Sequence, residues 1–84
     1  MKHYFVYIIY SAKNKLHYIG HTSNLNDRLT RHNNNRSKFT KNKGPWNLVA
    51  SFRCDSKSEA YQIELKLKAM KNPIKAIEYL KELV

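Results

Sequence analysis

Two tyrosines and an arginine have the residue types and spacing best suited to chemistry in this chain. Tyr7 lies in an apolar run, Tyr18-Ile19-Gly20 ends a second one, and Arg28 follows that glycine by eight residues. Phosphodiester cleavage needs an activated water, a cation at the developing negative charge and stabilisation of the leaving oxygen. An arginine supplies the cation, and a tyrosine takes up a proton once its pKa, about 10 in a free side chain, is lowered. The spacing therefore indicates a site that acts on phosphate esters.

Glu64 is the acid best placed to serve such a site. It is one of six acidic residues in the chain, and it borders an apolar helical stripe between Ala60 and Leu67. A carboxylate at the margin of a core needs a partner, either a basic side chain or a divalent metal. Sites with two metal ions gather several carboxylates. We therefore expect a single Mg²⁺ or Mn²⁺ bound by Glu64, water and phosphate.

Two histidines lie in the same region. His32 is beside the apolar pair Leu25 and Leu29 of a predicted helix. There it is suited either to position water and protonate the leaving oxygen, or to a structural role. His21 directly follows the glycine and is better suited to a phosphate contact than to catalysis.

Hydrophobic periodicity predicts three strands around these residues. Residues 4–10 are all apolar or aromatic, which is typical of a central strand covered on both faces. Residues 11–15 form a polar hairpin loop, and residues 16–20 return as the second strand. Period-two alternation predicts a third strand. Its apolar side is formed by Trp46, Leu48, Ala50, Phe52 and Cys54.

Three helices are predicted to pack on this sheet. The first begins at a cap, Ser23 or Asn24, with Asp27 in its first turn, where a carboxylate suits the positive helix end. The second spans residues 57–71, and the Asn72-Pro73 pair separates it from the third, residues 74–84. We therefore predict one α+β domain over residues 1–84, with a small, mainly antiparallel three-stranded sheet flanked by helices.

The charge balance indicates a polyanionic partner. Sixteen Lys and Arg residues stand against six Asp and Glu, a net charge of +10. Nucleic acid is the commonest partner of so basic a domain, and a lysine-rich surface such as that of a ribosome-associated protein is the alternative. The polar, linker-like segment 33–44 leads to Trp46 and suits a phosphate backbone with some base stacking. The basic residues in and before it are Arg31, Arg36, Lys38, Lys41 and Lys43.

Composition excludes several other classes of protein. With one cysteine, Cys54, the chain has no intramolecular disulfide, which is typical of a reducing compartment, and we expect a cytoplasmic protein. No stretch approaches the ~20 apolar residues that a membrane-spanning helix needs. The chain has two glycines in all, which excludes the glycine-rich phosphate loop of P-loop nucleotide hydrolases.

Taken in order, these motifs resemble the GIY-YIG nuclease family. Phe5-Val6-Tyr7 matches the first motif except for its leading glycine, and Tyr18-Ile19-Gly20 matches the second in full. Later segments are similar to the small single-domain branch related to the nuclease subunit of the Holliday-junction-cleaving complex. These segments are residues 21–32, 38–40, 44–49, 58–60 and 64–68.

The resemblance implies a role for each residue that it matches. Glu64 would be the metal ligand, Arg28 would contact the scissile phosphate, and a tyrosine of the two motifs would be the general base. Tyr18 is our first candidate for that base, with Tyr7 as its hydrogen-bonding partner.

Two hypotheses of function follow. The first is a metal-dependent endonuclease that acts on nucleic acid, DNA rather than RNA, with weak intrinsic specificity or with specificity supplied by a partner protein. The second is a non-catalytic nucleic-acid-binding module with the same fold and basic surface. Phe5, at the position of the family's glycine, keeps the second hypothesis open.

Overall fold

The first hydrophobic run forms the middle strand of a three-stranded sheet. In the computed structural model, which describes residues 3–35 and 38–83, this strand is β1 (Tyr4–Ser11). It pairs antiparallel with β2 (Leu16–Thr22) on one side and with β3 (Asn47–Cys54) on the other. The strand order is therefore β2-β1-β3, and the predicted central position of the first run is confirmed.

Three helices complete the α+β fold and confirm the predicted class. They are α1 (Leu25–Asn33), between β2 and β3 in chain order, and α2 (Lys57–Ala69) and α3 (Pro73–Glu82), which follow β3. Helices α2 and α3 pack on one face of the sheet, and α1 packs on the other. None of the described helices is long and apolar enough to cross a membrane.

The larger core lies between the sheet and the two C-terminal helices. Val6 and Ile8 of β1 are fully buried there, together with Leu67 of α2 and Leu80 of α3. Burying a side chain of this size stabilises the fold by about 1.5–3 kcal/mol. This core fixes α2, and with it Glu64, against the sheet.

A smaller core on the opposite face holds α1. Tyr7 and Ile9, the alternate residues of β1, are buried there with Trp46. Leu25 and Leu29 of α1, one helical turn apart, pack against them. The face of the sheet that bears Tyr7 is therefore covered by the helix that bears Arg28 and His32.

Each helix begins at a side-chain cap. The Asp27 backbone N–H donates to Oδ1 of Asn24 at 3.0 Å, and the Glu59 N–H donates to Oγ of Ser56 at 3.1 Å. Asn72 caps α3 in the same way. Loss of such a cap typically costs about 1 kcal/mol. Of the two caps predicted for α1, the structure uses Asn24.

The boundaries of α2 and α3 differ slightly from those predicted. Helix α2 ends at Ala69 because Lys71 has a left-handed φ of 52°, which a helix cannot continue through. Helix α3 begins at Pro73, and residue 84, the end of the predicted helix, lies outside the described residues.

A β-bulge overturns the predicted alternation of the third strand. The β1–β3 register shifts between Ile8 and Ile9, so that Val49 is the extra residue on β3. One extra residue exchanges the two faces of a strand. The prediction is confirmed for Ala50, Phe52 and Cys54, which belong to the core under α2 and α3. It is wrong for Trp46 and Leu48: Trp46 precedes the strand and packs on the α1 side, and Leu48 lies opposite Ile9.

The basic segment after α1 is not a free linker. Thr40 is buried, and its carbonyl accepts a hydrogen bond from Nε1 of Trp46 at 3.3 Å. Further along, the Ser11 hydroxyl donates to the carbonyl of Lys43 at 2.6 Å. The prediction of a linker is wrong for residues 38–44, because these contacts attach the segment to the sheet.

Candidate active site

The pairing of β1 with β2 brings two tyrosines to one face of the sheet. Tyr7 lies opposite Gly20, and Tyr18 lies opposite Ile9. Residues two apart on a strand share a face, so both rings are on the side covered by α1. Their centroids are 6.3 Å apart with the planes tilted by 39°.

Gly20 makes room for the hydroxyl of Tyr7. A Cβ atom built on this glycine would lie 2.8 Å from the Tyr7 oxygen and 3.0 Å from the ring of Tyr18. Any larger residue would therefore push at least one tyrosine out of place. The third residue of the Tyr18-Ile19-Gly20 motif is thus explained by a close approach of side chains.

His32 connects Tyr7 to the segment after α1. Its Nε2 is hydrogen-bonded to the Tyr7 hydroxyl at 2.9 Å, and its Nδ1 is hydrogen-bonded to the Thr40 hydroxyl at 2.6 Å. The imidazole is fully buried, and its centroid is 5.0 Å from that of the Tyr18 ring. Because both ring nitrogens are bonded within the protein, His32 holds Tyr7 in place and does not reach solvent.

Burial keeps this hydrogen-bonded chain neutral. Burial, with the neighbouring Tyr18 and Glu64, raises the pKa of Tyr7 well above its usual value, although the Arg28 guanidinium acts in the opposite direction. Burial and the charge of Arg28 lower the pKa of His32. Tyr7 is therefore a neutral phenol beside a neutral imidazole, which makes it a hydrogen-bonding group and a poor base.

Arg28 lies at the rim of a small cavity at the end of β2. The cavity has a volume of about 190 Å³, and His21 and Lys57 line it together with Arg28. Thr22 and Ser23 add hydroxyl groups to its wall. Basic and hydroxyl side chains around one concave surface are suited to a phosphate group.

Glu64 and His21 form a second group of polar side chains on the α2 side of the sheet. Oε1 of Glu64 is 2.7 Å from Nδ1 of His21, and Oε2 accepts a hydrogen bond from Nζ of Lys68 at 2.8 Å. The Glu64 side chain is 10% exposed, whereas that of Lys68 is 50% exposed. His21 borders the cavity of Arg28 as well, so it connects this group to that cavity. Tyr7 and Tyr18 are on the opposite face of the sheet and do not line the cavity.

Glu64 is the one acid of this region that can hold a metal ion. Within residues 3–35 and 38–83, three or more histidine, cysteine or acidic side chains never gather closely enough to form a metal-binding cluster. Mg²⁺ is commonly bound by one or two carboxylates, with water and substrate phosphate as the other ligands. The Lys68 ammonium already occupies a cation position at Oε2, and it is exposed enough to move aside. The donor set therefore fits one hard cation that shares its ligands with a phosphate.

The basic residues predicted to bind nucleic acid are spread along the surface beside α1. Lys38, Lys41 and Lys43 are exposed, as is Phe39. Arg31 forms an exposed ion pair with Asp27 at 3.1 Å, a kind of contact that contributes little to stability. Arg36 lies outside the described residues.

Three polar residues of the region were missed from the sequence. Thr40 lies in a polar loop without periodicity, so nothing in its neighbours marks it as buried. Lys57 reaches the cavity of Arg28 only through the packing of α2 on the sheet. The contact of Lys68 with Glu64 could have been predicted from the sequence, because residues four apart lie on the same side of a helix.

The sequence is similar to known proteins over nearly its whole length. Residues 3–78 match the GIY-YIG catalytic domain family. The UPF0213 protein YsiG of Lactococcus lactis subsp. lactis is 36% identical, over 95% of this chain and 89% of that protein. The UPF0213 protein SH2523 of Staphylococcus haemolyticus is 41% identical, over 80% of this chain and 80% of that protein.

A solved structure has the same fold. The solution NMR structure of the UPF0213 protein BH0048 from Bacillus halodurans superposes with a TM-score of 0.55 at 30% identity, covering 96% of this chain and 84% of that one. The family match spans both tyrosine motifs, Arg28 and Glu64. This chain therefore belongs to the GIY-YIG nuclease family.

Proposed function

We propose that this protein is a metal-dependent endonuclease that hydrolyses phosphodiester bonds in nucleic acid, with DNA as the preferred substrate. The observation that carries the proposal is the packing of Tyr7 and Tyr18 across Gly20, with Arg28 beside them. Phenol and guanidinium groups close together can provide proton transfer and charge stabilisation for a phosphate ester.

Tyr18 is the general base in this proposal. Its ring is half-buried and lies beside both Tyr7 and His32. Tyr7, neutral and fixed by His32, is itself buried, so it acts by positioning the ring of Tyr18. His32 is a positioning residue, because it acts through Tyr7 and is itself fully buried.

Arg28 binds the scissile phosphate, assisted by the other basic residues of its cavity. Its positive charge compensates the negative charge that develops on the phosphoryl oxygens in the transition state. His21 orients Glu64 through the contact at 2.7 Å and borders the same cavity. His21 therefore connects the phosphate site to the metal ligand.

Glu64 is the proposed ligand of a single Mg²⁺ or Mn²⁺. When bound, the ion lowers the pKa of a coordinated water and screens the charge of the phosphate. A buried carboxylate is favourable only with a cationic partner, and Lys68 is that partner in the free protein. The substrate phosphate completes the donor set that this one carboxylate leaves open.

The basic surface beside α1 binds the nucleic acid backbone in this proposal. Lys38, Lys41 and Lys43 contact phosphates, and the exposed ring of Phe39 is available for stacking on a base. Contacts of this kind carry little sequence information, so a partner protein would direct the enzyme to its substrate. We propose a cytoplasmic location because the single cysteine, Cys54, is a free, buried thiol, as is common in reducing compartments.

A second candidate function is a nucleic-acid-binding module without catalysis. The observation that favours it is that both carboxylate oxygens of Glu64 already have partners, His21 and Lys68. If Lys68 does not move aside, the carboxylate is neutralised within the protein and binds no metal ion. The basic surface would still bind a phosphate backbone.

A cleavage assay separates the two functions. Flap, junction, duplex and single-stranded substrates are incubated with the protein in Mg²⁺, in Mn²⁺ and in chelator. The nuclease proposal expects metal-dependent products that disappear in Glu64→Gln and persist in Glu78→Gln, the same change at an exposed acid of α3. Binding without cleavage of any substrate in either metal would favour the second function. Equal cleavage by the wild type and Glu64→Gln would exclude the proposed site.

A further inference from the structure

A groove lies between the outer edge of β2 and the end of α2, apart from the cavity of Arg28. Its volume is about 440 Å³, within the range of sites for small molecules. Leu16 and Ile19 line it from the strand, and Leu67 and Pro73 line it from the helical side. The apolar surface of this groove therefore has room for one flat, apolar group of the size of a nucleobase.

Three lysines surround this apolar surface. Lys15 belongs to the hairpin turn before β2, Lys68 to α2, and Lys71 to the junction between α2 and α3. All three are exposed, so their charges reach any group that enters from solvent. Apolar walls with positive charges around them complement a ligand that has an uncharged planar part and anionic groups beside it.

The groove continues the candidate active site along α2. Lys68 both lines the groove and donates to Glu64, and Tyr18 also contributes to the wall. Helix α2 continues for about 7.5 Å along its axis from Glu64 to its end at Ala69, at 1.5 Å per residue, and Lys71 follows just beyond. That span corresponds to about two nucleotide steps of a stacked strand at 3.4 Å each.

We propose that this groove binds an unpaired nucleotide next to the cleaved phosphate, with its base on Leu16 and Pro73 and the adjoining phosphates on Lys15 and Lys71. The proposal rests on the proposed function and specifies its substrate class. A base that is stacked and paired in a duplex cannot enter a groove between a strand edge and a helix. The preferred substrate is therefore one with single-stranded residues beside the cleavage site, such as a flap or a single strand.

Leu16 supports this assignment by its exposure. It is 41% exposed, whereas Tyr18 and Ile19 of the same strand are half-buried. An exposed leucine is unremarkable by itself, but here it forms one wall of a groove bordered by cations. An acidic peptide bound at the open edge of β2 would also contact these lysines. Its binding would not explain why the groove extends to Tyr18 and, through Lys68, to Glu64.

Binding in chelator tests the groove without requiring cleavage. Fluorescence anisotropy measures the affinity of the full-length protein for a labelled single strand of about ten nucleotides, within the footprint of a small domain, and for a blunt duplex hairpin. The groove variant is Lys15→Ala with Lys71→Ala. The matched control is Lys75→Ala with Lys81→Ala, two exposed lysines of α3 that do not line the groove.

The groove variant is expected to lose about tenfold or more in affinity for the single strand, and its salt slope should become shallower by about 1.4, since each phosphate contact on a single strand contributes about 0.7. The control variant has the same change in net charge, so its affinity for the single strand should fall only slightly, through weaker long-range attraction. The two variants should bind the duplex hairpin equally. Equal losses for the single strand in both variants would overturn the proposal.

A second pair of variants tests the apolar wall. Leu16→Asp should weaken binding of the single strand more than Leu65→Asp, which changes an exposed leucine of α2 outside the groove. Amide shifts of residues 15–19 and 71 in a ¹⁵N-labelled sample should respond to the single strand. If a polyglutamate peptide moves these signals and the oligonucleotide does not, the groove takes an acidic peptide and the proposal is wrong.

Failure of this inference is distinct from failure of the proposed function. Metal-dependent cleavage with unchanged single-strand binding in the groove variant would exclude the groove and retain the nuclease. Selective loss of single-strand binding in a protein that cuts nothing would retain the groove and exclude the nuclease.

Discussion

The hydroxyl of Tyr7 is hydrogen-bonded to Nε2 of His32 at 2.9 Å in the interior between β1 and α1. The other ring nitrogen of His32 is bonded to Thr40, so three side chains from distant parts of the sequence form one buried chain. Each member is satisfied only while the others are in place. This chain attaches α1 and the basic segment to the strand that carries the first tyrosine motif.

Tyr7→Phe is expected to destabilise the protein by about 1–3 kcal/mol, because it leaves a buried nitrogen of His32 without a partner. The ring and its packing are retained, so the loss reports the hydrogen bond. Urea denaturation measures the change. Tyr10→Phe is the control, since this ring of the same strand is only partly buried. Equal stability of Tyr7→Phe and the wild type would mean that the hydrogen bond contributes nothing.

Gly20→Ala is expected to cost about 1–3 kcal/mol of stability and to reduce cleavage, because the added methyl group overlaps the Tyr7 hydroxyl. Gly44→Ala is the matched control: its Cβ would lie 3.2 Å from the nearest atom, Cδ1 of Trp46, against 2.8 Å at Gly20. Neither glycine has a positive φ, so the comparison measures crowding and not backbone strain. Thermal unfolding and the cleavage assay together check it. A larger loss in Gly44→Ala would contradict the crowding explanation.

Stability is expected to fall in acid because of His32. The pKa of this group is lowered by burial in the folded state, so the unfolded chain binds the proton more readily below about pH 6.5. The stabilisation is therefore present above that pH and is lost as the pH falls through the lowered folded pKa. Urea denaturation at a series of pH values from about 8 to 5 measures the slope.

The variant for this pH series is His32→Gln, which cannot take up a proton in this range. Its free energy of unfolding should be lower than that of the wild type at neutral pH and should change less with acid. The pKa of His17 is also lowered by burial, so His17→Gln is the necessary comparison. If only the His17 variant flattened the slope, the acid sensitivity would not come from the Tyr7–His32 bond.

The strands and the tyrosine motifs could be predicted from the sequence because they depend on local patterns. The uninterrupted apolar run that includes Tyr7 predicts a central strand, and Gly20 ends a motif that pairs with it. Trp46 could not be assigned correctly, because the bulge at Val49 follows from pairing with β1 and not from the alternation of β3 itself. Thr40 was missed for a similar reason: its burial depends on His32, eight residues earlier.

The position of Glu64 could be predicted from the sequence, but its contact with His21 could not. Its position beside an apolar stripe follows from helical spacing, and the structure places it as a buried acid on α2. The partner on β2, His21, depends on the register of the sheet and on how α2 lies across it. Spacing along a helix can therefore identify a buried acid, but not the histidine on the sheet that contacts it.

The last prediction concerns the competition between Lys68 and a metal ion for Glu64. Lys68→Met keeps the aliphatic stem but removes the ammonium from Oε2, so Mn²⁺ binding to the free protein should become tighter. Since the lysine is half exposed, the gain should stay within the ~1 kcal/mol of a surface ion pair, about fivefold in Kd. A Mn²⁺ titration followed by electron paramagnetic resonance measures this change in affinity without any substrate.

The control for the change in net charge is Lys75→Met, which replaces an exposed lysine of α3. Glu64→Gln should bind no Mn²⁺ at this site in either background. If Lys68→Met and Lys75→Met changed the affinity for Mn²⁺ equally, Lys68 would not compete with the metal ion. The ion would then bind at a site other than Oε2 of Glu64, or would not bind to Glu64 at all.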